Sequence, residues 1–203
     1  MRSLLLFLGL LIGQFNLAQA QTERLIEGEK APKTTFEAID GESYKLKELL
    51  KENDRVLITF LRPTWCPVCN FRTHELKDNY EALKAQGYAV IVVYPSPKDR
   101  LKALAEDAEL PFIVVADPDE ELFEAYKIEK SAGKVRNSIF SKKVRKAAKK
   151  GKKAYDGEKY PKKGNRPGPI IPADFVIQDN QELKQVHYGK NIADHITIKS
   201  LLK

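Results

Sequence analysis

The chain has 203 residues, 31% charged and 42% hydrophobic, with 35 Lys and Arg against 28 Asp and Glu for a formal net charge of +7. These figures describe one domain of ordinary size and exclude a disordered chain, a multi-span membrane protein and a cystine-rich mini-protein. The charge is uneven: residues 131–168 hold 14 basic side chains and only two acids, whereas the rest, with Arg2 set aside, has 20 basic and 26 acidic residues, so a nucleic-acid-binding fold with a basic face throughout is excluded too.

Met1-Arg2-Ser3, an apolar run from Leu4 to Ile12 and then Ala18-Gln19-Ala20 have the three parts of a secretory signal peptide. The run is shorter than the roughly 20 apolar residues of a spanning helix. A leader over 1–20 is therefore expected, with a mature domain over 21–203 that is secreted or periplasmic. Asp40-Gly41 marks a turn in a hairpin-like region that leads into a brief helix near Leu46 to Leu50. Arg55 to Leu61 is continuous, apolar and β-branched, as in a buried central strand. Pro67 suits the first turn of a helix reaching Gln86, and Gly87 is placed to end it. Tyr88 to Tyr94 and Phe112 to Ala116 read as further strands, with helices over Asp99 to Glu109 and Pro118 to Tyr126. After the basic segment come Asp174 to Ile177 and Leu183 to Tyr188, an antiparallel pair across Asp179-Asn180, and a last helix over 193–202. The alternation predicts an α/β fold, a mixed central sheet flanked by helices.

Chemistry concentrates in Arg62-Pro63-Thr64-Trp65-Cys66-Pro67-Val68-Cys69, at the turn from a buried strand into a helix. Two intervening residues let the cysteines bridge across one helical turn. At the helix N-terminus, free N–H groups and the macrodipole favour a thiolate, so Cys66 is the expected nucleophile and Cys69 the resolving thiol. Arg62 adds positive charge, Trp65 shields the sulfurs, Pro67 opens the helix, and Thr64 is counted with them as active-site support. A structural disulfide and a zinc site completed by two of His74, His187 and His195 are the alternatives. The bridge is too short to constrain the unfolded chain much, and a second closely spaced ligand pair is missing. No metal and no cofactor beyond a redox-active Cys66–Cys69 disulfide is expected. Pro172 directly precedes a strand. A cis Ile171-Pro172 bond would leave the Ile171 backbone free as a substrate-strand contact, and a plain edge-strand proline is the alternative.

Trp-Cys-x-x-Cys, the β–α alternation and the late proline-then-strand resemble the thioredoxin fold. Ala31-Pro32-x-x-x-Phe36, Asp40-Gly41, Leu46-x-x-Leu49 and Phe60 through Asn70 more narrowly resemble its AhpC/TSA, peroxiredoxin-like branch. The resemblance implies a thioredoxin-like three-layer fold with a basic insertion before a cis-Pro strand. Departures from the branch tilt the expected reaction. Thr59 and Pro63 stand where typical peroxiredoxins carry a proline and a hydroxyl, and Thr64 is one residue late. The family's peroxide-polarising arginine, expected near Ala173, has only Arg62 and Arg166 as candidates. Phe60 stands where thioredoxins bury a carboxylate.

The sequence reading is thus an exported thiol–disulfide oxidoreductase that takes protein or small-molecule disulfides and an unidentified thiol electron donor. One alternative is a peroxiredoxin-like thiol peroxidase acting on hydroperoxides through Cys66. Another is a binding module with a static disulfide and a basic interaction arm. Residues 138–155 are expected to form a basic helix with Ile139, Phe140, Val144 and Ala147 near one face. The segment 134–166 reads as a solvated, separable insertion, or as an arm for an acidic partner or an anionic membrane surface; nucleic acid is not an expected partner.

Overall fold

The computed structural model describes residues 24–154 and 168–203. The expected leader over 1–20 and Arg166 lie outside the described residues.

Strand β3 (Arg55–Phe60) is apolar on both faces and takes the centre of a five-stranded sheet, where both faces are covered. It pairs in parallel with β4 (Tyr88–Tyr94), which pairs in parallel with β5 (Ile113–Ala116). On its other side it pairs antiparallel with β6 (Ala173–Gln178), which turns through Asp179-Asn180 into antiparallel β7 (Glu182–Tyr188). The order is β5-β4-β3-β6-β7, the mixed sheet that the sequence predicts. A separate antiparallel pair, β1 (Thr35–Glu37) and β2 (Ser43–Lys45), leads into α1 (Leu46–Glu52).

Alternate side chains along each central strand enter opposite cores. Leu57 and Leu61 of the β3 segment join Val90, Val92 and Tyr94 on one face, while Val56, Ile58 and Phe60 join Ala89, Ile91 and Val93 on the other. Phe60 fills its core as an aromatic, with ring centroids 5.1 Å from Phe123 and 5.0 Å from Tyr126.

The expected helix after Pro67 is two helices, α2 (Pro67–Asp78) and α3 (Tyr80–Ala85), because Asn79 leaves the helical conformation between them. Gly87, at φ +74°, ends the pair; a Cβ there would meet the Asp54 carboxylate. Helices α4 (Lys98–Ala108) and α5 (Glu121–Ala125) fall where the alternation places them. The last helix, α8 (Ile198–Leu201), is much shorter than expected.

The basic segment departs most from expectation. It contains α6 (Ala132–Ser138), with Ser131 as its N-cap, and α7 (Lys142–Ala154). Val144, Ala147 and Gly151 of α7 are buried, and the first two share a core with Cys66, Val68 and Cys69. Hence α7 is a structural layer against α2, not a separable solvated arm. Ile139 and Phe140, expected on the apolar face, lie in the break between α6 and α7 and are exposed.

The Ile171-Pro172 bond also differs from the cis form expected: among the described residues no peptide is cis. Backbone bonds fix both sides of this peptide. Ile171 N–H donates to Glu129 O at 2.8 Å, and Gly189 N–H donates to Pro172 O at 2.9 Å. The Ile171 amide is therefore spent within the fold, and both residues are buried, so they do not form the open substrate-strand contact expected of them.

Candidate active site

Strand β3 ends at Phe60, and the next five residues carry the chain from the end of this central strand to the start of α2. Cys66 N–H donates to Pro63 O at 2.8 Å, closing a turn that sets Cys66 at the N-cap of α2 with extended backbone (φ −83°, ψ 111°). Pro67 supplies N1, where its missing N–H costs nothing. The Cys66 carbonyl accepts from the amides of Cys69 and Asn70, at 3.1 and 3.0 Å. The cysteines thus sit one turn apart on one helix.

Both are free thiols, Cys66 4% and Cys69 0% exposed. They are electrostatically unequal. A hydrogen bond with the Cys69 thiol is the largest influence on Cys66; burial opposes it, but the charge and hydrogen bonding of Arg62 add to it, and the Cys66 pKa falls to about 6. Burial pushes the Cys69 thiol the other way, well above its ordinary value, and a neighbouring Cys66 thiolate pushes it further. One sulfur is poised as nucleophile and the other stays protonated, the asymmetry a resolving pair requires.

Arg62 is the cation of this site. It is 7% exposed, its Nη1 donates to Ile170 O at 2.6 Å, and its backbone N–H donates to Cys69 Sγ at 3.3 Å. Its Nε is buried with no hydrogen-bond partner among the described residues. Thr64 is fully buried; its N–H donates to Ser96 Oγ at 3.3 Å, and its own hydroxyl has no partner among the described residues. Trp65 and Pro67 are half-buried at the rim, and Trp65 packs against the core that holds the thiols. The structure therefore brings together Arg62, Thr64, Trp65, Cys66, Pro67 and Cys69, and leaves Ile171 and Pro172 in the interior beside them.

The three histidines each face a carboxylate. His74 pairs with Asp78 and His187 with Asp194, at 3.4 and 3.6 Å. His195 Nδ1 lies 3.0 and 3.2 Å from the two Asp174 oxygens.

Sequence reasoning missed that last pair. Asp174 is fully buried on β6, opposite Thr59 of β3, and also accepts from Ile196 N–H at 2.7 Å. Burial, the strongest influence, favours the neutral acid, but His195 and then Arg72 of α2 together hold Asp174 well below the usual carboxylate range. The visible signal was a lone acid opening an apolar strand, Asp174-Phe175-Val176-Ile177. A second omission is Gly151. A Cβ on it would stand 1.7 Å from Pro67 O, so only glycine lets α7 pack this tightly on the start of α2.

Residues 27–186 match the AhpC/TSA family. Peroxiredoxin Bcp of Escherichia coli (strain K12) is 30% identical over 99 residues, 49% of this chain and 62% of that protein. The putative peroxiredoxin Rv2521 of Mycobacterium tuberculosis (strain ATCC 25618 / H37Rv) is 27% identical over 106 residues, 52% of this chain and 66% of its own length. In both cases the match spans just under two thirds of the relative. Among solved structures, peroxidoxin BcpB from Mycobacterium tuberculosis superposes with a TM-score of 0.59 at 12% identity, covering 81% of this chain and 86% of that one. A PrxQ mutant from Xylella fastidiosa gives 0.57 at 11% identity, covering 82% and 87%. At these identities the structural likeness shows the thioredoxin-like fold.

Proposed function

Because the chain belongs to the AhpC/TSA family, we propose that it is a thiol peroxidase of the peroxiredoxin kind, with Cys66 as the peroxide-reducing thiolate and Cys69 as its resolving partner. The observation that carries this is the buried Arg62 at the Cys66 sulfur, with a guanidinium nitrogen that has no acceptor among the described residues. A peroxide oxygen is an acceptor of the right kind. Attack by the Cys66 thiolate on that bond forms S–O and breaks O–O, giving a sulfenic acid and an alkoxide or hydroxide that leaves on taking a proton. Arg62 stabilises the charge that develops on the departing oxygen. Cys69 then attacks the sulfenic sulfur, expelling water and closing a Cys66–Cys69 disulfide, and an external thiol donor returns both sulfurs to the reduced state. In this reading Arg62 serves where the family pattern has an arginine near Ala173, and the unpartnered Thr64 hydroxyl serves in place of the one missing at Pro63.

Disulfide exchange, the reading favoured from sequence, ranks second. The unequal thiol pair supports it, but the relatives are peroxiredoxins, and the Ile171 amide that was to hold a substrate strand is occupied. Export through residues 1–20, with a mature start near Gln21, belongs to the same proposal and rests on the leader pattern; N-terminal sequencing of the protein from the periplasm or medium tests it.

Hydroperoxide consumption and disulfide reduction, measured side by side with wild type, Cys66→Ser and Cys69→Ser, separate the two reactions. The expected outcome is peroxide turnover well above disulfide reduction, abolished by Cys66→Ser. Disulfide reduction far above peroxide turnover would reverse the order.

A further inference from the structure

Helix α7 packs against α2. Between them, and closed at one end by residues 193–198, lies a cavity of about 270 Å³. Its charge is one-sided. Lys143, Lys146 and Lys150, at helical spacing on α7, line it with Arg72 of α2 and with His195, and the one carboxylate in its wall is Glu75. Four permanent cations thus face one anion.

The buried Asp174 offsets part of the charge of Arg72 and His195, and the other internal pairings leave much of the rest unspent. Arg72 is 3% exposed, its Nε and Nη2 are buried with no hydrogen-bond partner among the described residues, and its Nη1 stands 3.9 Å from Glu75, a long contact. His195 uses Nδ1 on Asp174, while its Nε2 is buried without a partner among the described residues. Lys146 has no ion pair among the described residues, and Lys143 reaches Asp194 only at 3.8 Å. Lys150 sits over the Phe71 ring, 4.9 Å from its centroid. Unpaired buried donors such as Nε and Nη2 of Arg72 are costly in a native protein and call for an acceptor.

The remaining wall is apolar, with Phe71, Ala147 and Ile196 among its residues. A bare inorganic ion would leave these surfaces wet, and a polymer such as a nucleic acid does not enter a cavity just below the usual range for ligand sites. We propose that this cavity binds a small organic oxyanion, a carboxylate or phosphate ester on a compact apolar body. The charged head lies toward Arg72, His195 and the α7 lysines, and the body lies against Phe71 and Ile196. The cavity adjoins the thiol centre, since Val68 between the two cysteines lies in its wall, and the proposal stands whether the enzyme reduces peroxides or disulfides.

Titration of the isotope-labelled full-length reduced protein, at fixed ionic strength and followed by amide NMR, tests it with four probes: phenyl phosphate, benzoate, inorganic phosphate and benzyl alcohol. Saturable shifts confined to Phe71, Glu75, Ala147, Ile196 and their neighbours are expected with phenyl phosphate or benzoate, with inorganic phosphate and benzyl alcohol each weaker by about tenfold or more. Replacing Lys143, Lys146 and Lys150 together by Gln should weaken binding about tenfold, and Glu75→Gln should tighten it about twofold to threefold. The two variants shift binding in opposite directions, so general destabilisation does not imitate the pattern. Equal binding of benzyl alcohol would reduce the cavity to a hydrophobic hole, and equal binding of inorganic phosphate would remove the organic body from the proposal. Shifts spread over lysines elsewhere, or no saturation, would overturn it. Sedimentation with phosphatidylglycerol vesicles completes the test: vesicle binding through the same lysines, without saturable phenyl phosphate binding, would replace the small ligand by a membrane surface.

Discussion

Gly151 of α7 and Pro67, the first residue of the helix that carries both thiols, approach so closely that a methyl group on the glycine would overlap the Pro67 carbonyl oxygen at 1.7 Å. The basic segment, which by charge alone reads as an appendage, is therefore a wall of the redox centre. Through Val144 and Ala147 the same helix shares the core in which Cys66 is buried.

Replacing Gly151 by Val should push α7 off α2. The expected cost is roughly 1–3 kcal/mol of stability from overpacking, seen in denaturant unfolding, together with faster alkylation of Cys66 in the folded protein. Unchanged stability and unchanged alkylation would mean that α7 does not rest on Pro67.

Titration of the thiolate by its ultraviolet absorbance should show Cys66 ionising near pH 6, with Cys69 silent until far higher pH. The folded value lies below that of the unfolded thiol, so the thiolate's contribution to stability is fully present above the unfolded value of about 9 and is lost as pH falls through about 6. Peroxide reduction should fall in the same window. A midpoint near that of an ordinary cysteine would separate Arg62 and the Cys69 thiol from Cys66.

Arg62→Met keeps a long apolar stem and removes the charge. It should raise the Cys66 pKa and slow the peroxide step by about 10²-fold, even at a pH where the thiolate is fully formed. A loss that disappears once pH is raised would restrict Arg62 to setting the thiol pKa.

Much of this site was legible in the sequence because it depends on local order. A buried strand, a turn and Cys66-Pro67 opening a helix fix where the two sulfurs stand, and an arginine four residues before the first sulfur falls within its reach. The central strands were equally plain, since Arg55 to Phe60 and Tyr88 to Tyr94 have no polar alternation. Features that depend on distant segments were not legible. Nothing near Pro172 in sequence indicates that Glu129 takes the Ile171 amide, which is why an open substrate strand was expected there. The lysines of α7 read as a solvated face, and only Val144, Ala147 and Gly151 together mark the stripe that packs on α2. His195 reads as a stray ligand until the fold brings it to Asp174, 21 residues away.

That pairing carries its own expectation. Asp174→Asn leaves His195 and Arg72 without their buried counter-charge, and loss of one partner from a buried pair costs about 3–5 kcal/mol. Denaturant unfolding at neutral pH should show it. The wild-type carboxylate has a lowered pKa, so its contribution is present above the unfolded value of about 4 and is lost as pH falls toward its folded value. The stability difference between wild type and Asp174→Asn should therefore shrink in strong acid. A constant difference would place the effect in packing and not in charge.

The most direct test of the proposed chemistry is a single turnover of reduced Cys69→Ser protein with one equivalent of an organic hydroperoxide, followed by mass spectrometry. Without its resolving thiol, Cys66 should gain one oxygen in trappable sulfenic form, rapidly and in near-stoichiometric yield, with one equivalent of alcohol released. An unmodified Cys66 after exposure to peroxide, in protein that still forms a mixed disulfide with an added small disulfide, would contradict the peroxidase reading and leave disulfide exchange as the reaction of this site.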